Sequence, residues 1–297
     1  MKDIPMYASF KTIQKIDKGM AGDEKFYIET AENKRLLLRI AGIEELERRQ
    51  SEYARAKSMY ALGVPMSAPI DFGICRHGKN VYTLLSWIDG EEVEAVLPGL
   101  PQKAQYELGL ESGRILRKIH ANPAPAGIED WSKRYFSVID ERLDAFRREG
   151  VSFEGSAMIL SYIENNRFLL QGRPQVCHHG DYHMGNLIQS QSRLYVIDWH
   201  TVDFDNYGDP WYEFNRIGVE WPFFASGQID GYFNGEIPQE FWKLLAFYLS
   251  ASAITSIVWA KYFAPGRLHS ILQLNREILR WFDNMNCAVP TWYSPQL

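Results

Sequence analysis

Residues 178–200 read HHGDYHMGNLIQSQSRLYVIDWH and form the densest group of chemically reactive side chains in the chain. They include four histidines, two aspartates and one asparagine around two short predicted strands, NLIQ and LYVID. Imidazole, carboxylate and amide groups are common protein ligands of metal ions. The stretch therefore indicates a metal-dependent site, and its residues allow two ways of building one.

In the first alternative, the histidines bind a transition metal, as in a metal-dependent hydrolase. The ligands would come from His178, His179, Asp181, His183 and His200. The spacing disfavours this site, because no HExxH motif is present and three histidines within six residues of loop rarely face one point. The hydrolase stays open as an outside alternative.

In the second alternative, the oxygens of Asp181, Asn186 and Asp198 matter, and magnesium is the metal because it prefers carboxylate and amide oxygens. Asn186 stands where the first predicted strand begins, and Asp198 stands where the second ends. A turn as short as residues 189–193 brings those two ends together. Asp181 then remains to accept a proton from a hydroxyl, an arrangement that matches phosphoryl transfer.

Three motifs carry a resemblance to aminoglycoside phosphotransferases and related small-molecule kinases, including the choline kinases. HGDYHMGN at 179–186 resembles their HxDxxxxN catalytic loop, and IDW at 197–199 resembles their counterpart of the kinase DFG segment. GDPWYE at 208–213 is similar to the GDPxxD/E segment that follows. The resemblance implies a two-lobed, protein-kinase-like α+β fold. It implies a small β-rich nucleotide-binding lobe over residues 1–88, and a larger, mostly helical catalytic and acceptor-binding lobe over 89–297.

The resemblance also implies roles for single residues of these motifs. Asp181 is expected to be the catalytic base or the carboxylate that orients the acceptor hydroxyl, and Asn186 and Asp198 are expected to bind Mg²⁺. His179 is expected to brace the catalytic loop by hydrogen bonding. Asp209 is expected to anchor the segment behind the site rather than to take part in catalysis.

Hydrophobic patterning before and after the motifs agrees with this two-part order. KFYIET at 25–30 and RLLLRI at 35–40 predict an antiparallel pair of strands, and residues 43–62 predict a helix. Two more strands are predicted around a turn at 77–80. Beyond residue 101 the apolar residues recur mostly at helical spacing.

The resemblance places nucleotide binding in the first lobe. Gly19 and Gly22, in the loop between the first two strands, are expected to let backbone N–H groups approach phosphate. Arg39 stands on the third strand where protein kinases have lysine, and its charge partner is expected at Glu52 on the following helix. Taken alone, the loop is typical of an ordinary turn. For Arg39, the alternative is an arginine exposed on a strand. Backbone groups of the linker Ser86, Trp87 and Ile88 are expected to bind the purine of ATP or GTP.

Acidic residues cluster directly after the magnesium motif. Nine lie between residues 195 and 240, where Arg216 is the only lysine or arginine, and an acidic pocket concentrates cationic ligands. The nine are Asp198, Asp203, Asp205, Asp209, Glu213, Glu220, Asp230, Glu236 and Glu240. Aromatic residues crowd the same region, where they either stack on an acceptor or belong to the core. Asp203 and Asp205 follow the magnesium strand and are expected to contact the acceptor.

The sequence thus predicts transfer of a nucleotide γ-phosphoryl group to a hydroxyl of a small cationic acceptor, with an aminoglycoside as the leading candidate. A metabolic kinase of choline, a sugar or an amino alcohol is the alternative within enzymes. A pseudokinase that binds nucleotide but does not catalyse a reaction is the non-enzymatic alternative. Asp181, Asn186 and Asp198 together favour an enzyme, because a binding module needs no proton acceptor.

Composition also predicts features of the binding partners and the cellular compartment of the protein. A net charge of −5 disfavours a nucleic-acid partner, and three cysteines without a CxxC pair are typical of the cytoplasm. The first residues contain no continuous apolar segment of the kind found in signal peptides. Residues 244–260 are uncharged but include several hydroxyl side chains, so they predict a buried core helix rather than a membrane span.

Overall fold

The computed structural model describes residues 1–17, 23–199, 203–217 and 220–294 of the chain. Strands from the first ninety of these residues form one antiparallel sheet. They are β1 (Phe10–Ile16), β2 (Glu24–Thr30), β3 (Arg35–Gly42), β4 (Pro69–Cys75) and β5 (Asn80–Ser86). Their spatial order is β1-β2-β3-β5-β4, and every neighbouring pair is antiparallel. The predicted strand pair at 25–30 and 35–40 and the two later strands are confirmed.

Alternation along β3 places its apolar and charged side chains on opposite faces of the sheet. Leu36, Leu38 and Ile40 are buried in one apolar cluster together with Ile28 of β2. Because successive side chains of a strand point to opposite faces, Arg39 projects from the face away from that cluster. The strand therefore presents Arg35 and Arg39 on its other face.

A helix follows β3, close to the predicted span of 43–62. Ile43–Glu45 forms a 3-10 turn, and α1 (Leu46–Ala61) continues it. The buried face of α1 contains the apolar residues Ala56 and Met59 together with the charged residues Arg49 and Glu52. Buried charges are stable only when they are paired, so this face requires charged neighbours.

Five more strands are short. They are β6 (Glu91–Glu92), β7 (Val176–Cys177), β8 (Leu187–Ser190), β9 (Arg193–Val196) and β10 (Tyr207–Gly208). β8 and β9 form the hairpin predicted for this part of the chain, with Leu187 opposite Val196. Gln191 at the turn adopts a positive φ of 55°, which closes the hairpin in two residues.

Helices make up most of the rest of the chain. They are α2 (Val93–Val96), α3 (Gln102–His120), α4 (Trp131–Arg148), α5 (Ser156–Asn165), α6 (Pro222–Phe233), α7 (Gln239–Phe263) and α8 (Leu268–Trp281). Within the described ranges, α7 is the one helix long and apolar enough to cross a membrane by length and composition. Some 78% of its apolar window is buried inside the protein, as predicted for a core helix.

The chain divides into two compact units. One unit comprises Met1–Val96 and Met184–Thr201, and the other comprises Leu97–His183 and Val202–Leu297. The first is built on the five-stranded sheet and the second is mostly helical, which is the α+β order predicted. The division differs from the predicted boundary after residue 88, because β6 pairs with β8 and thereby joins the β8–β9 hairpin to the first unit.

Glycines allow α3 and α6 to pack backbone against backbone. A Cβ atom on Gly227 would lie 2.1 Å from the carbonyl oxygen of Tyr106, and one on Gly231 would lie 2.1 Å from that of Leu110. Gly113 of α3 approaches α6 in the same way. The two helices can therefore keep this contact only while these positions lack side chains.

Replacing Gly231 by alanine is expected to lower the free energy of unfolding by about 1–3 kcal/mol, because the new methyl group must push the two helices apart. Equilibrium unfolding in urea measures the effect. Gly266→Ala is the matched control, since a Cβ atom at Gly266 meets nothing within 4 Å. An equal change in both variants would show that the α3–α6 contact tolerates a side chain.

Candidate active site

The open end of the β8–β9 hairpin brings Asn186 and Asp198 together along the backbone. Asn186 directly precedes β8, Asp198 follows β9 by two residues, and the Ile197 N–H donates to the Asn186 carbonyl oxygen at 3.0 Å. Asp198 has a positive φ of 60°, a conformation that Asp adopts more readily than most residues. Val196 N–H donates to the carbonyl of Pro65 and fixes the hairpin to the rest of its unit.

Arg39 lies between two carboxylates on the polar face of the sheet. Its Nη1 lies 2.8 Å from Asp198 Oδ1, and its Nε lies 2.9 Å from Asp23 Oδ2. Only 12% of the Arg39 side chain is exposed, and Asp23 is more deeply buried. Burial lowers the pKa of the Arg39 guanidinium, but the charges of Asp198 and Asp23 raise it more, so the net shift is upward. Arg39 is therefore a fixed, buried cation and not an exposed strand residue.

Arg39 and its predicted partner Glu52 belong to one chain of charged groups, and the charge of Glu52 contributes to raising the pKa of Arg39. Asp23 contacts both Arg39 and Arg49, and Arg49 Nη1 lies 2.9 Å from Glu52 Oε2. Arg49 and Glu52 share the buried face of α1 because they are three residues apart. Asp23 is an additional direct partner of Arg39, and its place directly after the glycine loop was the available signal. Gly19 and Gly22 themselves lie outside the described residues.

Asp181 lies in the second unit, with a basic or imidazole group at each carboxylate oxygen. Arg216 Nη1 is 2.7 Å from Oδ1, and His183 Nε2 is 3.4 Å from Oδ2. Burial raises the pKa of the Asp181 carboxyl, but the hydrogen bond with His183 and the charge of Arg216 lower it more. Asp181 is therefore ionised at neutral pH.

Glu213 holds the backbone that leads into Asp181. Its carboxylate accepts hydrogen bonds from the N–H groups of His179 and Gly180, both at 2.8 Å. His120 Nε2 lies 3.0 Å from the same carboxylate. Burial raises the pKa of Glu213, but the His120 hydrogen bond and nearby histidine charges lower it to about 2. Nothing in the sequence pattern singled out His120, whereas Glu213 belongs to the GDPxxD/E motif without having been assigned a role.

The histidines beside Asp181 have structural partners. His178 is fully enclosed and its Nε2 lies 3.0 Å from the Asp209 carbonyl oxygen, and burial lowers its pKa. His179 Nδ1 accepts a hydrogen bond from the Asp181 N–H at 3.3 Å, and its bracing role stays a prediction. Across the described ranges, no three His, Cys, Asp or Glu side chains form a group that would hold a metal. His200, a ligand in the hydrolase alternative, lies outside the described residues.

Asp209 is fully buried and anchors the start of a 3-10 helix, Pro210–Arg216. Arg173 contacts it through Nε at 2.7 Å and Nη2 at 3.1 Å, and Tyr248 donates its hydroxyl at 2.9 Å. Its own carboxylate also accepts the Trp211 N–H as an N-cap. These contacts fix the Asp209 carboxylate in the interior, and its role as the anchor of the segment behind the site stays a prediction.

Other acids of the 195–240 region also face inward. Asp230 is buried and accepts hydrogen bonds from the hydroxyls of Tyr106 and Tyr293, each at 2.6 Å. Together with Asp209 and Glu213 it forms part of the interior and not of an acidic pocket. The aromatic side chains of Phe204, Trp211 and Tyr212 likewise pack against the apolar core. The side chains of Asp203 and Asp205 lie outside the described residues.

In the linker expected to bind the purine, two backbone N–H groups already donate hydrogen bonds within the first unit. Ser86 N–H donates to the Ala68 carbonyl at 2.9 Å, and Trp87 N–H donates to the Arg35 carbonyl at 3.0 Å. Both donors are therefore already used within the first unit. Ile88 follows as the next residue of the linker.

A model of the phosphotransferase enzyme family, APH, matches residues 12–242, which is most of the chain. The chain belongs to this phosphotransferase family. No curated protein sequence matches it.

Solved structures show the fold of this phosphotransferase. An apo thermostable mutant of aminoglycoside phosphotransferase APH(4)-Ia is 15% identical, with 92% of this chain and 96% of that chain covered and a TM-score of 0.63. A choline/ethanolamine kinase family protein from Mesorhizobium loti is 17% identical over 92% and 91%, with a TM-score of 0.62. Amicoumacin kinase hAmiN is 12% identical over 93% and 90%, with a TM-score of 0.59. The predicted kinase-like α+β fold is confirmed.

Proposed function

We propose that this phosphotransferase moves the γ-phosphoryl group of a magnesium-bound nucleotide to a hydroxyl of a small acceptor molecule. The observation that carries the proposal is the open end of the β8–β9 hairpin, where the backbone pairing brings Asn186 and Asp198 together. Arg39 adds a buried, permanently charged guanidinium beside Asp198. Metal ligands and a phosphate-binding cation in one unit are what phosphoryl transfer requires.

The donor set fits a magnesium ion. Asn186 and Asp198 supply an amide oxygen and a carboxylate, which are hard ligands that magnesium prefers. The Asp198 carboxylate already pairs with the guanidinium of Arg39, which supports a role for Asp198 in binding positive charge. When bound, magnesium would neutralise charge on the phosphate oxygens of the nucleotide.

The chain's own residues divide the remaining work. Asp181 would accept the hydrogen bond of the acceptor hydroxyl and orient its oxygen for attack. Glu213 and His179 would keep Asp181 in position, because they bind the backbone on which it stands. Arg39 would bind phosphate oxygens through its planar guanidinium.

Neighbouring structures support a nucleotide donor. APH(4)-Ia has been solved with ADP and hygromycin B, and hAmiN with AMP-PNP and Ca²⁺. We extend this to ATP or GTP with Mg²⁺ for the present chain, with the Ile88 backbone as the purine contact, and to a cytoplasmic enzyme without nucleic-acid or membrane partners. The joint presence of Asp181, Asn186 and Asp198 supports an enzyme over a pseudokinase.

The acceptor candidates from the sequence are an aminoglycoside and, as the alternative, choline, a sugar or an amino alcohol. Similarity to APH(4)-Ia supports the first, and similarity to a choline/ethanolamine kinase family protein supports the second. The run of acidic residues supports a cationic acceptor less strongly than the sequence suggested, because Asp209, Glu213 and Asp230 have internal partners.

The test is a coupled assay of ADP or GDP release with MgATP or MgGTP, across pools of aminoglycosides, sugars, amino alcohols and hydroxy acids. Release stimulated by one pool is expected, and Asp198→Ala is expected to abolish it. His183→Ala should lower the rate of release less, because His183 Nε2 lies at the long distance of 3.4 Å from Asp181. The reverse order would favour the metal-dependent hydrolase, and absence of nucleotide binding would overturn the proposal.

A further inference from the structure

Arg216 lies beside Asp181, the carboxylate proposed to orient the acceptor hydroxyl. It ends the 3-10 helix Pro210–Arg216, and its Nη1 lies 2.7 Å from Asp181 Oδ1. About half of the Arg216 side chain is exposed, at 51%, whereas Asp181 is 21% exposed. Both residues belong to the second unit. A guanidinium therefore faces solvent directly beside the carboxylate proposed to orient the acceptor.

Arg216 retains most of its binding capacity in this position. A guanidinium has five N–H donors in one plane, and a single nitrogen of Arg216 approaches Asp181. Among the residues that the structure describes, Asp181 is the one carboxylate paired with Arg216. The remaining edge of the guanidinium matches the two oxygens of a carboxylate or a phosphate.

Three of the nine acids that would attract a cationic acceptor to this region have internal partners. The Asp209 carboxylate pairs with Arg173, the Glu213 carboxylate accepts hydrogen bonds from the N–H groups of His179 and Gly180, and the Asp230 carboxylate accepts hydrogen bonds from two tyrosine hydroxyls. An ammonium group placed near Asp181 would meet the positive charge of Arg216. An anionic group in the same place would form a charge-assisted pair instead.

We propose that the acceptor carries an anionic group, a carboxylate or a phosphate, next to the hydroxyl that receives the phosphoryl group, and that Arg216 binds it. Arg216 would then release Asp181 and bind the anionic group of the acceptor. The carboxylate of Asp181 would thereby be available to the acceptor hydroxyl. The inference rests on the proposed function and replaces its aminoglycoside and choline candidates with hydroxy acids and phosphorylated alcohols. Arg216 becomes the residue that determines acceptor specificity.

Matched pairs of small molecules test this directly. L-Homoserine differs from 3-aminopropan-1-ol by one carboxylate, and glycerol 3-phosphate differs from glycerol by one phosphate. Calorimetric titration into the full chain saturated with Mg²⁺ and AMP-PNP measures binding without turnover. We expect the anionic member of at least one pair to bind at least tenfold more tightly than its partner, and the pair that responds identifies carboxylate or phosphate.

Variants assign the preference to the guanidinium. Arg216→Gln is expected to abolish the difference within the pair, and Arg216→Lys to keep part of it as a point charge. Arg280→Gln, which removes an exposed arginine of α8, is the matched control and should keep the full difference. Circular dichroism and melting temperature check that the Arg216 variants fold.

The inference is overturned if neither anionic compound binds more tightly than its partner, or if the preference persists in Arg216→Gln. Tight binding of kanamycin or choline with no response to the anionic compounds would likewise overturn it in favour of a cationic acceptor. AMP-PNP is titrated first, with Mg²⁺ present. Failure at that step would overturn the proposed function itself, so the two failures are distinguishable.

Discussion

Asp181→Asn is expected to lower kcat by about 10²- to 10⁴-fold, while the affinity for nucleotide stays within about twofold. Asparagine keeps the shape of the side chain but removes the negative charge that accepts the acceptor proton. Steady-state kinetics with the acceptor identified in the pooled assay measures kcat, and nucleotide titration measures affinity.

Asp144→Asn is the matched control for this change. Asp144 is an exposed aspartate of α4 that pairs with Arg147 at 2.7 Å, so the same substitution there should leave kcat unaltered. A kcat for Asp181→Asn within threefold of the unmodified protein would contradict the assignment. Asp181 would then be a structural partner of Arg216 and not a catalytic residue.

Glu213→Gln is expected to lower the free energy of unfolding at pH 7 by roughly 3 kcal/mol, since each pKa unit corresponds to about 1.4 kcal/mol. The ordinary pKa of the carboxyl is 4.5 and its pKa in the folded protein is about 2. Because the folded pKa is the lower one, the stabilising effect is complete above pH 4.5 and is lost as the pH falls toward 2. The difference between the two proteins should therefore shrink between pH 4.5 and pH 2.

Urea unfolding at several pH values between 2.5 and 7 measures this difference. Glu236→Gln is the matched control, because Glu236 is an exposed acid of the same unit. A difference between Glu213→Gln and the unmodified protein that does not depend on pH would contradict the proposed origin in a buried carboxylate. The same variant is also expected to lower kcat, because Glu213 binds the backbone that leads into Asp181.

Local patterns in the sequence were sufficient for the secondary structure that positions the two proposed metal ligands, Asn186 and Asp198. Alternating apolar residues defined β2 and β3, and the spacing of Asn186 and Asp198 around two short strands defined the hairpin that joins them. The uncharged stretch at 244–260 identified the buried helix α7. These features depend on residues that are close together in the chain, so their periodicity and turns predict them.

Pairing between charged residues could not be predicted in the same way. The sequence analysis paired Arg39 with Glu52, whereas Arg39 contacts Asp23 and Asp198, which lie 16 and 159 residues away from it. Several carboxylates were within reach of the expected arginine position, and the folded chain brings Asp23 and Asp198 into direct contact with Arg39, while Glu52 acts on it through its charge. Ion pairs of this kind are set by burial and geometry in three dimensions.

The sequence by itself determined the reaction class of this protein, because the loop 179–186 and the segments 197–199 and 208–213 carry their residues at fixed spacing within short stretches. The tertiary structure alone decided which acids are available to a ligand. Folding buries Asp209, Glu213 and Asp230 against internal partners and leaves Arg216 exposed beside Asp181. A run of acidic residues records charge along the chain, whereas the potential at a site depends on which of those charges are neutralised by residues from distant segments.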